Sequence, residues 1–139
     1  MKILFAFLLS LVGASAIAQD NWKVCFDKKV LLNASTEDEQ KNVIEITQAD
    51  MKKSKSFVVS YKESSPQKGW ERTIIIYDGK DSELKKQTGE KLYLKTSELK
   101  VLLDRSKTIK IYTLNSPTDP KMKSQVRLRR VHLCTLILQ

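Results

Sequence analysis

Histidine occurs once in this chain of 139 residues, at position 132, and cysteine twice, at 25 and 134. Structural zinc sites draw on closely spaced pairs of Cys or His ligands, and no such pair is present. A Ser-His-Asp or Cys-His catalytic site needs a base beside a nucleophile and an orienting acid, and one histidine leaves little material for it. Glycine is scarce. Beyond the first residues it occurs only at 69, 79 and 89, so there is neither a Gly-rich phosphate loop nor a dinucleotide fingerprint, and no nucleotide cofactor is expected. No stretch after the first residues is long and apolar enough to span a bilayer, which takes about 20 residues. Internal repeats and low-complexity tracts are also missing.

The N-terminus has the three parts of a secretory signal. Met1-Lys2 is a positive start, Ile3 to Val12 is an apolar run interrupted by one serine, and Ala16-Ile17-Ala18 is a small-x-small cleavage site. Residues 1–18 are therefore expected to be removed, leaving a single domain over 19–139 that is periplasmic or secreted. Gln19 stands where a lipoprotein would need cysteine. Hydrophobic residues make up 41% and charged residues 29%, a balance that supports a packed core rather than disorder. The net charge of +9 comes mostly from lysine, while Arg127, Arg129 and Arg130 form a compact arginine cluster. Positive charge suits an anionic partner, and export argues against nucleic acid as the physiological one.

The dominant period along the chain is two, the signature of half-buried strands. Trp22, Val24 and Phe26 alternate with Lys23, Cys25 and Asp27, and Phe57, Val59 and Tyr61 alternate with Val58, Ser60 and Lys62. Trp70 to Tyr77 reads as a central strand with Trp70, Arg72, Ile74 and Ile76 on one face. Asp78-Gly79 signals a hairpin. The spacing of Leu99, Leu102 and Leu103 predicts one short helix near 97–106, capped by Thr96. Val126 to Leu138 reads as the longest strand, with a β-bulge at Arg129-Arg130 returning Val131 and Leu133 to the core. Eight or nine short strands, one short helix and turns about every ten residues predict an all-β fold, an antiparallel β-sandwich.

Several residues are candidates for chemistry. In an oxidising compartment Cys25 and Cys134 are expected to form a disulfide, which requires the first and last strands to be neighbours. The alternatives are two free buried thiols or a metal-handling protein in which Cys25, His132 and Cys134 are copper or zinc ligands, since His132-x-Cys134 places both side chains on one strand face. The carboxylates Glu37, Asp38, Glu39, Asp78, Asp81, Glu83 and Glu90 fall in loops and form no evident acid pair, so no enzymatic activity is expected. A basic, aromatic outer face is the more specific signal. Tyr77, Tyr93 and Tyr112 point away from the apolar side of their strands, accompanied by Lys91, Lys95 and Lys110. With Arg127, Arg129 and Arg130 they form a candidate binding face for an anionic envelope component or a protein partner. The arginines are expected to pair with acidic neighbours in part. The resulting expectation is a small exported binding or interaction module without catalytic activity.

Overall fold

The structure, a computed structural model, describes residues 19–139, so the expected export signal lies outside the described residues. Nine strands and three short helices follow in the order β1 (Asn21–Phe26), β2 (Lys29–Ala34), β3 (Val43–Ile46), α1 (Gln48–Lys53), β4 (Ser56–Lys62), β5 (Trp70–Asp78), β6 (Glu83–Thr88), β7 (Lys91–Lys95), α2 (Thr96–Ser106), β8 (Thr108–Pro117), α3 (Pro120–Lys123) and β9 (Val131–Leu138). They build a four-stranded sheet, ordered β2-β1-β4-β7, and a five-stranded sheet, ordered β3-β9-β8-β5-β6.

The alternation in the sequence sets which face each strand buries. Trp22, Val24, Phe26, Phe57, Val59, Leu92 and Leu94 from the first sheet share one core with Ile74, Ile76, Ile109, Ile111 and Leu136 from the second. Leu99 and Leu103, one turn apart on α2, and Met51 of α1 join the same core. The Trp22 indole N–H spans the gap between the sheets and donates to the Leu133 carbonyl at 2.9 Å. The first and last strands are thus neighbours, but across the core rather than within one sheet.

The chain is mostly β, and four details depart from the sequence reading. First, the five-stranded sheet is mixed. The 35–42 loop carries the chain out of the four-stranded sheet, and β3 then lies parallel to β9 while its other strand pairs run antiparallel. Second, there are three helices rather than one. Helix α1 is started by a reciprocal capping box, in which Thr47 and Asp50 each accept the other's backbone N–H. Third, Thr96 lies inside the first turn of α2 rather than capping it: Lys95 is the N-cap, and the Thr96 backbone N–H donates to the Lys55 carbonyl. Fourth, residues 127–130 belong to no strand or helix, so β9 begins at Val131 and β8 is the longest strand. The bulge falls at Leu133 instead of Arg129-Arg130, since Ile111 pairs with Cys134 while the next residue, Tyr112, pairs with His132.

Candidate functional site

The bulge at Leu133 decides the fate of the cysteines and the histidine. One extra residue between His132 and Cys134 reverses the expected alternation. Cys134 pairs with the core residue Ile111 and is fully buried, whereas His132 pairs with Tyr112, whose side chain is on the outer face. Cys25 lies half-buried on the outer face of the four-stranded sheet, because Trp22, Val24 and Phe26 take the inward positions on β1. Both cysteines are free. The disulfide expected between Cys25 and Cys134 is therefore corrected: one thiol faces the core and the other faces away from it. The same geometry separates Cys25, His132 and Cys134 as a ligand set, and no group of three or more metal-ligating side chains occurs among the described residues. Burial raises the Cys134 thiol far above its ordinary pKa, which suppresses the thiolate.

The proposed aromatic face divides between the two sheets. Tyr77 on β5 and Tyr112 on β8 meet edge to face, with ring centroids 5.4 Å apart, on the outer side of the five-stranded sheet. Lys110 shares that sheet and pairs with Tyr77 and Thr135. The 127–130 segment returns across this face. The Arg130 guanidinium lies 4.8 Å from the Tyr77 ring centroid and 4.2 Å from that of Tyr112, and donates to Asp81 at 2.8 Å. Arg129 pairs with Glu37, whose other oxygen accepts the His132 backbone N–H at 3.0 Å. The acidic partners of the two arginines come from loops rather than from facing strand positions. Arg127 is exposed.

His132 is buried beneath this corner. Its Nε2 lies 2.7 Å from the Thr135 hydroxyl, and its Nδ1 has no hydrogen-bond partner. Burial lowers its pKa below the ordinary histidine value. Glu39, Glu37 and Asp38 oppose that shift, and Lys110 adds to it. The Glu39 carboxylate accepts the Tyr112 hydroxyl at 3.4 Å.

Tyr93 belongs to the other sheet. It is 52% exposed, in the middle of β7. Strand register places Val30, Cys25, Val58 and Tyr93 in one row across the outer face of the four-stranded sheet. Lys23, Ser60 and Lys91 form the neighbouring row on one side, and Ser56 with Lys95 on the other. At one end of the face, Asn21, Lys23, Ser60, Tyr61, Lys62 and Lys91 line a hollow of about 380 Å³, and Glu90 is the one carboxylate in its lining. Lys23 and Lys62 were not singled out from the sequence. Each alternates with core residues on its own strand, but nothing local says that β1, β4 and β7 are neighbours.

A structural network that sequence reading also missed lies near the edge of this sheet. Tyr61 stacks on Trp22 at 5.9 Å with rings nearly parallel, and Arg72 from the opposite sheet lies 4.0 Å from the Tyr61 centroid. Arg72 donates to Glu63 at 2.6 Å and to the Thr113 hydroxyl at 3.0 Å, while the Tyr61 hydroxyl donates to Asp20 at 2.6 Å. Burial and the Asp20 hydrogen bond push the Tyr61 phenol well above its usual pKa, so it serves as a donor across the ordinary pH range.

Glu71 and Glu83 do not stand as a close carboxylate pair. Glu71 and Glu83 line one concavity of about 330 Å³ on the five-stranded sheet. Glu83, however, pairs with Tyr77, six residues along β5 from Glu71, a separation on the order of 20 Å. Glycoside hydrolysis needs about 5–10 Å. Asp78, which with Asp81 and Glu83 superficially suggests a calcium loop, uses one oxygen to accept the Lys80 and Ser82 backbone N–H groups of its turn, each at 2.9 Å.

No protein-family model, curated protein or solved structure matches this chain. Among the described residues, no helix is long and apolar enough to cross a membrane.

Proposed function

We propose that the protein is a small exported β-sandwich that binds rather than catalyses, and that it takes an anionic polymer of the cell envelope on the outer face of its four-stranded sheet. The observation that carries this reading is the register of β1, β4 and β7. It sets the exposed Tyr93 ring among Lys23, Lys91 and Lys95, and no carboxylate occupies an outward position on those three strands. The tyrosine ring offers a flat apolar platform, and the ammonium groups supply charge without a fixed geometry. In the hollow, the ammonium groups of Lys23, Lys62 and Lys91 outnumber the single Glu90 carboxylate, which suits one phosphate, sulfate or carboxylate group of such a polymer. Export rests on the Met1–Ala18 signal pattern.

The test is retention of the 19–139 chain on immobilised lipopolysaccharide and on an anionic polysaccharide. Retention at about 0.1 M salt should vanish towards about 1 M, as the Debye length falls from about 10 Å to about 3 Å. A Lys23→Ser, Lys62→Ser, Lys91→Ser triple variant should elute early even at low salt, and Tyr93→Ser should weaken retention with less change in its salt dependence. Failure of the parent protein to bind any anionic matrix at low salt would overturn the reading, as would a triple variant retained like its parent.

A further inference from the structure

The five-stranded sheet carries a second site, in which charges of both signs meet. At one corner of this sheet, acidic groups from two loops and from β6 stand among Arg129, Arg130 and Lys110, the last being the strand partner of Tyr77. Glu39 reaches the Tyr112 hydroxyl, Asp81 reaches Arg130, and Glu83 is the β6 partner of Tyr77. The edge-to-face arrangement of Tyr77 and Tyr112 turns two ring surfaces towards one point, and the point is filled by a guanidinium. Two π-faces and a carboxylate oxygen at 2.8 Å make a complete recognition set for that group: the rings attract its charge, and the carboxylate takes its N–H. Arg130 arrives from outside the sheet, on residues 127–130 that belong to no strand or helix, with Arg127, Leu128 and Arg129 exposed around it.

We propose that Tyr77, Tyr112 and Asp81 form a binding site for an arginine side chain of a partner polypeptide, and that Arg130 is its resident, exchangeable occupant. The partner is a polypeptide presenting arginine because the group that fits between the two rings and the Asp81 carboxylate is a guanidinium. Arg130 keeps the carboxylate paired and the rings covered while no partner is present. It also sets a threshold, because a ligand competing with a tethered occupant sees an affinity reduced by the fraction of time the site is open. The site lies on a different sheet from the lysine face, so the two assignments stand or fall separately.

The experiment uses Arg130→Gln, which keeps part of the side-chain stem over the rings and removes the charge. The probe is N-acetyl-arginine amide, titrated at fixed ionic strength while the ring proton resonances of Tyr77 and Tyr112 are followed, with N-acetyl-lysine amide as the second arm. The expected result is binding at least tenfold tighter to Arg130→Gln than to the parent, with the gain lost when Asp81→Asn is added. Equal affinity of Arg130→Gln and parent for the arginine probe would overturn the proposal, as would a gain that survives Asp81→Asn. Equal binding of the lysine probe would overturn the guanidinium assignment. The unsubstituted protein supplies a readout that does not depend on the variant folding. Saturating arginine probe should move the Arg130 side-chain N–H resonance away from its ring-shifted position, and an unmoved resonance rejects exchange.

Discussion

At the scale of single residues, Arg72 shows how one charge can hold two sheets together. Its side chain is 9% exposed and that of its partner Glu63 is 13% exposed, so the pair is largely out of water. Removing one member of such a pair leaves the other charge stranded. Arg72→Met should therefore destabilise the fold by about 3–5 kcal/mol, read from urea unfolding. The double variant Arg72→Met, Glu63→Gln should recover part of that loss. A single variant as stable as its parent would show that Arg72 is not a joint.

His132 makes a second residue-scale prediction. Its pKa in the folded protein is below the ordinary value of 6.5, chiefly through burial. The unfolded chain binds the proton more readily, so the stabilisation is present above about pH 6.5 and is lost as pH falls through the lower folded value. Stability should therefore begin to decline as pH falls below about 6.5. That portion of the slope should be absent in His132→Gln, whatever its absolute stability. Glu37 acts in a later window. Its burial raises its pKa, but the His132 N–H and Arg129 outweigh that effect and leave it below 4.5, so its contribution is lost only at more acid pH.

At the scale of elements, the alternation of Trp22, Val24 and Phe26, of Phe57, Val59 and Tyr61, and of Ile74 and Ile76 was legible because hydrophobic period alone fixes which face is buried. The Asp78-Gly79 hairpin was equally legible, because its turn is made by local chemistry around the Asp78 carboxylate. The bulge on β9 was not. Its position follows from how Ile111 and Tyr112 pair with a distant strand, and sequence offered the adjacent charges of Arg129-Arg130 as a false marker. Helix α1 was hidden for another reason. It has six residues and one buried side chain, too few for a helical period, although its Thr47 and Asp50 caps are visible in the sequence. The consequence of the bulge is measurable. In the folded protein Cys25 should react with a thiol reagent and Cys134 should not, and one mole of label per chain should rise to two only on denaturation. Two protected thiols, or none free after unfolding without reductant, would contradict the placement of these strands.

At the scale of the molecule, pairwise strand order is what the sequence could not disclose. Tyr77, Tyr93 and Tyr112 all point outward as expected from their strands, but β7 joins one sheet while β5 and β8 join the other. A single aromatic face thus becomes two surfaces of different character. One is lysine-rich with Tyr93 exposed, and the other mixes carboxylates with basic groups and has its tyrosines under Arg130. The mostly β composition and the strand count near nine were readable, whereas two of the three helices were not. The parallel placement of β3 was not, because the 35–42 loop that delivers it carries polar residues with no periodicity to show where it leads.

That parallel strand has a bearing on how the chain comes to be folded at all. β9, the last strand in chain order, sits inside its sheet between β3 and β8, and the Gln139 backbone N–H closes onto the Ile46 carbonyl. For a polypeptide emerging N-terminus first from a ribosome, β3 has no partner strand in the sheet until Val131–Leu138 has emerged. Trp22 likewise lacks its carbonyl acceptor until Leu133 arrives. Such long-range closure slows folding. β2, β1, β4 and β7 can pair among themselves before then, as can β8, β5 and β6, but the core they share closes only when Val131–Leu138 takes its place between β3 and β8.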